Sequence, residues 1–207
     1  MKNNDFIELN KECCIHNTKG IIDYESEYFE NYKERSYSEI GVKLNNFRRC
    51  YVECFSTDGE IIDVGTGYGQ LVMDSNIRWF GYDVNPLTKN RLGKRFDEKW
   101  ELYNNICFFD VLEHFKCPNT ILNKIKPNAM VFITIPVWNH DWSKFKNEII
   151  SWKHWRPNEH FLYTSTIGFI TLMNNNGFDL IDNNQIETSL GRQEVHTFAF
   201  RKKQNNI

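Results

Sequence analysis

The residues best placed to do chemistry lie in the run Glu60-Ile61-Ile62-Asp63-Val64-Gly65-Thr66-Gly67-Tyr68-Gly69-Gln70-Leu71. Apolar residues lead into an acid-x-Gly-x-Gly-x-Gly turn, whose glycines let the backbone pass close under a ligand. A second acid, Asp83, ends the next apolar run, Trp79-Phe80-Gly81-Tyr82. A dinucleotide fingerprint would read Gly-x-Gly-x-x-Gly and offer its helix N-terminus to a pyrophosphate. Here the third position of that fingerprint is Gln70, and the extra glycine, Gly69, falls one residue early. Asp63 would also repel a pyrophosphate, whereas it suits a ligand carrying an ammonium and a sulfonium. Asp83 suits the hydroxyls of a ribose. The wording therefore favours S-adenosylmethionine over NAD. A glycine-rich turn alone is equally a tight loop, and the pairing with Asp83 is what tips the reading toward a nucleoside crevice.

These acids need strands behind them, and the pattern supplies them. Strands are expected at Ile61 to Val64, Ile77 to Val84, Asn104 to Phe109, Met130 to Ile135, Phe178 to Asp182 and Val195 to Arg201. Helices are expected at Tyr68 to Asp74, from Pro86, at Asn119 to Lys126 and at Thr164 to Asn175, the last stopped by Gly177. Before them, Ile40, Leu44, Phe47, Tyr51 and Phe55 recur at helical spacing and form a stripe fit to cover a sheet. A charged helix is expected from Glu25 to about Ser36, after two dozen irregular polar residues. The alternation argues for a doubly wound α/β sheet with helices on both faces. Between Asp83 and Ile106 there is room for a helix but hardly for a full strand, so a strand near Arg95 to Trp100 is vestigial.

At 207 residues, with 41% hydrophobic and 25% charged content, the chain suits one well-buried domain. An aromatic share of 15% implies a core and pocket walls rich in rings. A net charge of -2 without charge blocks argues against duplex nucleic acid as main partner. No secretory signal opens the chain and no apolar run spans a bilayer, so a cytoplasmic protein with no membrane partner is expected. The six cysteines then read as reduced thiols. Cys50 and Cys54, four apart on a helix, read as small buried thiols. Cys13-Cys14-x-His16 is at most half a zinc site without a completing pair, and no metal is expected.

With those residues in hand, the chain resembles class I S-adenosylmethionine-dependent methyltransferases over roughly residues 40 to 200. Phe108-Phe109-Asp110-Val111-Leu112-Glu113-His114 resembles the strand-four signature of the subgroup that includes ubiquinone-pathway O-methyltransferases. Ile125-Lys126-Pro127-Asn128-Ala129 resembles that subgroup's Lys-Pro-Gly-Gly turn, with Asn128 and Ala129 replacing the glycines. Trp155-Arg156-Pro157-Asn158-Glu159-His160-Phe161, followed by a helix and Gly177-Phe178, is similar to the close of the fold. Short methyltransferase-like proteins of phages and bacteria share a comparable segment. The resemblance implies a Rossmann-like sheet of order 3-2-1-4-5-7-6 with strand seven antiparallel. It divides the chain into an N-terminal extension and cap helix (1–36) and a cofactor-binding domain (37–203). It implies S-adenosyl-L-methionine above Gly65, Gly67 and Gly69, with Asp63 beside its amino group and Asp83 on its ribose. Phe109 and Asp110 would line the pocket from strand four. Arg48 matches an arginine that holds the methionine carboxylate, and Asp97 is the candidate acid for adenine.

Methyl transfer is an in-line displacement with a good leaving group, so alignment supplies much of the acceleration. A base is needed only where the nucleophile carries a proton, as a hydroxyl does. His160 and His154 lead the candidates, followed by His114, with Tyr163 outside them and His140 on the same loop. His114 serves equally well as a residue that fixes its loop. The segment from Val137 to His160, rich in tryptophan, reads as the wall of a small-molecule pocket. Its other reading is a cover for the sheet, with Arg156 and Glu159 a structural ion pair. Glu187 and Arg192 either reach the acceptor or sit on a surface hairpin, the plainer of the two. No Asn-Pro-Pro-Tyr-type turn or Pro-Cys nucleophile is present, which disfavours DNA bases. The expected function is methyl transfer to the oxygen of a small metabolite, sugar or lipid precursor. The rivals are an RNA nucleoside acceptor and a non-catalytic binding module for the cofactor. Oligomeric state and acceptor are not legible.

Overall fold

Six apolar runs pair into one twisted sheet because side chains alternate between its two faces, giving helices on each side something to cover. The computed structural model describes residues 5–18 and 26–204. β1 (Phe6–Asn10) and β2 (Cys13–His16) form a hairpin. α1 (Ser26–Tyr37) and α2 (Glu39–Phe55) precede β3 (Ile61–Val64), α3 (Gln70–Met73), β4 (Trp79–Tyr82) and α4 (Pro86–Leu92). β5 (Asn105–Phe109), α5 (Pro118–Leu122) and β6 (Met130–Pro136) continue the alternation. α6 (Phe145–Glu148), β7 (Leu162–Thr164), α7 (Thr166–Asn175), β8 (Phe178–Asn184), α8 (Ile186–Ser189) and β9 (Val195–Lys202) complete it.

The main sheet runs β4-β3-β5-β6-β9-β8, with β9 antiparallel to both neighbours and the pairs among β3 to β6 parallel. This is the expected order with its third strand reduced to one parallel bridge, Gly81 to Phe96. Ile62, Ile106, Phe108, Val131 and Ile133 pack on one face under Phe169, Leu172 and Met173 of α7. Ile61, Cys107, Phe109 and Phe132 pack on the other against Tyr51 and Val52 of α2 and Leu71 and Val72 of α3. Ser165 caps α7 by accepting the Gly168 N–H at 3.0 Å, which starts the helix at Thr166.

Three expectations need correction, and the half zinc site weighed beside them falls away. The first two dozen residues are not irregular throughout: β2 pairs antiparallel with β7, so the hairpin completes a second, three-stranded sheet β1-β2-β7. Strand alternation then sends Cys13 into the main core and Cys14 into a separate aromatic cluster with Phe6, Trp138, Phe145 and Trp152, which separates the proposed zinc donors. Cys50 and Cys54 are exposed, because the buried stripe of α2 runs through Leu44 and Tyr51 instead. Ile40, at the start of that stripe, is also exposed. Among the described residues no helix is long and apolar enough to cross a membrane.

Phe169 is fully buried, with its ring 5.0 Å from Phe198 and 6.0 Å from Phe200. Phe169→Ala should therefore lower unfolding stability by about 3–5 kcal/mol, cavity term included. Denaturant titration checks this, and a loss below about 1 kcal/mol would mean that α7 does not seal this face.

Candidate functional site

At the C-terminal ends of β3, β4 and β5 lies a cleft of ≈ 520 Å³. That is the size range of a small-ligand pocket, about 300–1,000 Å³. It lies where parallel strands of an open α/β sheet part, the usual position of a ligand crevice. Gly65 and Gly67 form its floor, with φ of 71° and 58°. A Cβ on Gly65 would stand 2.4 Å from Val111 Cγ2, so the turn admits no side chain there. Asp83 braces the turn: its Oδ2 accepts the Gly67 N–H at 2.7 Å and its Oδ1 accepts the Asn85 N–H at 2.9 Å. Asp63 lines the same cleft at 4% exposure, and burial raises its carboxyl to about 7.

A closed ion network forms one wall. Arg48 of α2 donates from Nε to Glu187 Oε1 at 2.7 Å and from Nη2 to Asp110 Oδ2 at 2.9 Å. Arg192 donates to the same two acids, to Asp110 Oδ1 at 2.7 Å and to Glu187 Oε2 at 2.6 Å. Burial alone would raise the Asp110 carboxyl, but the guanidiniums of Arg192 and Arg48 outweigh it and hold it well below the usual range. Thr134 of β6 donates to Glu187 at 3.2 Å. Glu187 is fully buried, so the surface-hairpin reading fails for it and for Arg192, which lines the cleft. Asp110 sits at φ 60°, a left-handed conformation uncommon outside glycine and a mark of a constrained site.

Beyond this wall a second, smaller pocket of ≈ 260 Å³ shares Tyr32, Arg35, Asp110, His114 and Arg192 with the first. The three candidate histidines line it. His114 Nδ1 is 2.9 Å from the Glu159 carbonyl and His160 Nδ1 is 3.1 Å from the His154 carbonyl. Carbonyls only accept, so both Nδ1 atoms carry the proton and both neutral rings keep a lone pair on Nε2. His154 instead donates from Nε2 to the Gln193 carbonyl at 2.9 Å. Burial lowers all three, most of all His160, to about 3, where neighbouring His114 adds to it. Glu113 lies beside them at 1% exposure, raised to about 8 by burial and by the charge of Asp110.

Of the residues singled out from the sequence, the cleft gathers Arg48, Asp63, Gly65, Gly67, Asp83, Phe109 and Asp110. Gly69 is not among its lining: it opens α3, where a Cβ would stand 2.8 Å from Leu92. Asp97 is not there either, since its carboxylate accepts from the Lys99 N–H and the Tyr103 hydroxyl, both at 2.9 Å. Asp97 follows the single bridge of the reduced third strand, and its N–H donates to the Gly81 carbonyl at 3.1 Å. Tyr163 is buried in the aromatic cluster. Arg156 and Glu159 form a 3.2 Å ion pair with both side chains exposed. Tyr32 and Arg35 of α1, which overhang both pockets, carry no sequence signal for this role. Glu113 did carry one, its place in the Asp110-to-His114 run.

A methyltransferase-domain family profile matches residues 40–183. No curated protein sequence matches the chain. Among solved structures, the Burkholderia thailandensis 1,6-didemethyltoxoflavin N1-methyltransferase, with its substrate and S-adenosylhomocysteine bound, is similar at TM-score 0.60 and 11% identity. That match covers 97% of this chain and 100% of the other. Magnesium protoporphyrin IX methyltransferase of Synechocystis, with S-adenosylhomocysteine, scores 0.59 at 11% identity over 87% and 96% of the chains. A possible histamine N-methyltransferase of Thermotoga maritima scores 0.56 at 16% over 86% and 98%.

The state of Asp63 yields a pH test. A cationic amino group beside it binds the ionised form, and burial has moved ionisation up to about 7. Below that pH binding must expel the proton, so affinity for S-adenosylhomocysteine should fall toward about tenfold per pH unit below 7 and level off above it. Calorimetry in buffers of differing ionisation heat should show a proton released near pH 6. Asp63→Asn should bind weakly and without this slope, and a flat wild-type profile from pH 5.5 to 8 would remove Asp63 from the ligand's side.

Proposed function

The chain belongs to the methyltransferase-domain family and is a class I S-adenosylmethionine-dependent methyltransferase, and on that premise we propose that it methylates an oxygen of a small-molecule acceptor. The observation that carries the proposal is the division of the site into two connected pockets that share Asp110, His114 and Arg192. The larger suits the cofactor. Its glycine floor, the near-neutral buried Asp63 and the braced Asp83 fit a methionine head and a ribose. Arg48 and Phe109 wall it, the guanidinium lying 4.8 Å from the ring centroid.

When bound, S-adenosylmethionine supplies an electrophilic methyl carbon on a cationic sulfur. The chain's own task is then to hold an acceptor oxygen in line and to relieve it of its proton. The smaller pocket offers His114, His160 and His154 for this, as neutral imidazoles with lone pairs. A hydroxyl activated there needs a proton sink or a Lewis acid, whereas an amine would need neither. Its modest volume, ≈ 260 Å³, favours a metabolite over a nucleic-acid strand.

Incubation with methyl-labelled S-adenosylmethionine and separated small-molecule and RNA fractions of a cell extract tests this reading. Label should enter a small molecule as a base-stable methyl ether or as a methyl ester released by base. Label confined to RNA, or none in any fraction, would overturn it. Asp83→Ala should weaken S-adenosylhomocysteine binding by about 10- to 100-fold, the loss of one buried acceptor and its brace on Gly67, about 1–3 kcal/mol.

A further inference from the structure

We propose that Glu113, His114 and His160 form a binding site for a single divalent cation of the Mn²⁺, Fe²⁺ or Zn²⁺ type at the floor of the smaller pocket. The inference rests on the reading of that pocket as the acceptor compartment, and deepens it by giving His114 and His160 to the ion and leaving His154 as the proton acceptor. One donor atom from each residue lies within 4.8 Å of the other two. Ligands about 2.0–2.2 Å from one ion stand about 3–4 Å apart, so side-chain rotation alone closes the set. Two imidazoles and a carboxylate suit these borderline cations, and three protein ligands leave positions open for an acceptor oxygen.

The surroundings point the same way. Each histidine donates its Nδ1 proton to a backbone carbonyl, which orients the ring and leaves Nε2 as the ligand atom, the usual outer-shell arrangement of metal-binding histidines. Glu113 Oε2 is buried and has no hydrogen-bond partner. No ion pair of Glu113 forms among the described residues, although Arg48 and Arg192 are near enough to act on it. Both guanidiniums are committed to Asp110 and Glu187. A buried carboxyl oxygen without a hydrogen-bond partner is costly, and a cation that takes the place of its proton would satisfy it. Main-chain bonds fix the three residues against one another. The Phe161 N–H, next to His160, donates to the carbonyl of Glu113 at 2.7 Å, so the turn that carries Glu113 and His114 is tied to the segment just before β7 that carries His160. The three residues are therefore held within reach of one another before any ion arrives.

The spacing could not have announced it. Glu113 and His114 are adjacent, but His160 returns only after the long segment behind β6, and no local metal motif includes all three.

The test is a Mn²⁺ titration of the full chain followed by electron paramagnetic resonance, in which bound ion leaves the free six-line signal. It is run in a Cys50→Ser, Cys54→Ser, Cys117→Ser background, so that exposed thiols hold no metal. Expected is one Mn²⁺ per chain, with affinity at least about 100-fold lower in Glu113→Gln and in His160→Asn. Both variants should retain their circular dichroism and their affinity for S-adenosylhomocysteine. No saturable site up to millimolar Mn²⁺, or unchanged binding in both folded variants, overturns the proposal. Labelled product formed at full rate in excess chelator also overturns it, and leaves the methyl-transfer reading standing. Mn²⁺ bound as expected with no labelled product from any fraction would uphold the site and sink the oxygen-acceptor reading instead.

Discussion

Two arginines and two carboxylates, Arg48, Asp110, Glu187 and Arg192, share one set of ion pairs between 2.6 and 3.0 Å long. Their formal charges cancel. They come from α2, from the end of β5, from α8 and from the turn before β9, so the network ties the first half of the sheet to its antiparallel edge. Taking such charges out of water costs several kcal/mol per ion, and only full pairing repays it. Every donor direction of the two guanidiniums that faces the acids is used, and Thr134 adds a further donor to Glu187. The stability gained over an apolar wall is small by this reasoning. What the network supplies is a fixed polar partition between two pockets.

That partition sets the electrostatics on both sides. On the side of the larger pocket burial outweighs the pull of Arg48 on Asp63 and raises its carboxyl to about 7. On the side of the smaller pocket the negative charge of Asp110 helps burial raise Glu113, while burial lowers the histidines. The two pockets therefore meet one wall with different electrostatics. The strained backbone of Asp110 is the geometric counterpart, since a left-handed turn there aims its carboxylate at both arginines.

Sequence patterning carried far on the sheet because a parallel sheet covered on both faces requires unbroken apolar runs, and β3, β5 and β6 are such runs. It carried less far on the N-terminal segment. β1 and β2 are short, and Phe6-Ile7-Glu8-Leu9-Asn10 buries chiefly Phe6. Only the partner strand β7, far along the chain, makes a hairpin of it, and local pattern holds no record of a distant edge. The cysteines of α2 fail for a related reason. Their spacing is helical, but which helical stripe turns inward depends on where the sheet lies.

The amino-acid sequence by itself determined the alternation of strand and helix, the glycine turn with its flanking Asp63, and the acid at the end of the following strand. These are local consequences of hydrophobic period and backbone freedom, readable wherever neighbours in the chain are neighbours in space. The tertiary structure alone decided that Gly69 and Asp97 stand away from the cleft, that Glu187 is buried, and that Glu113 and His114 meet His160. Each of those outcomes joins segments separated by a strand or a long loop. Burial, charge pairing and donor convergence are properties of that joining, and no stretch of sequence holds them on its own.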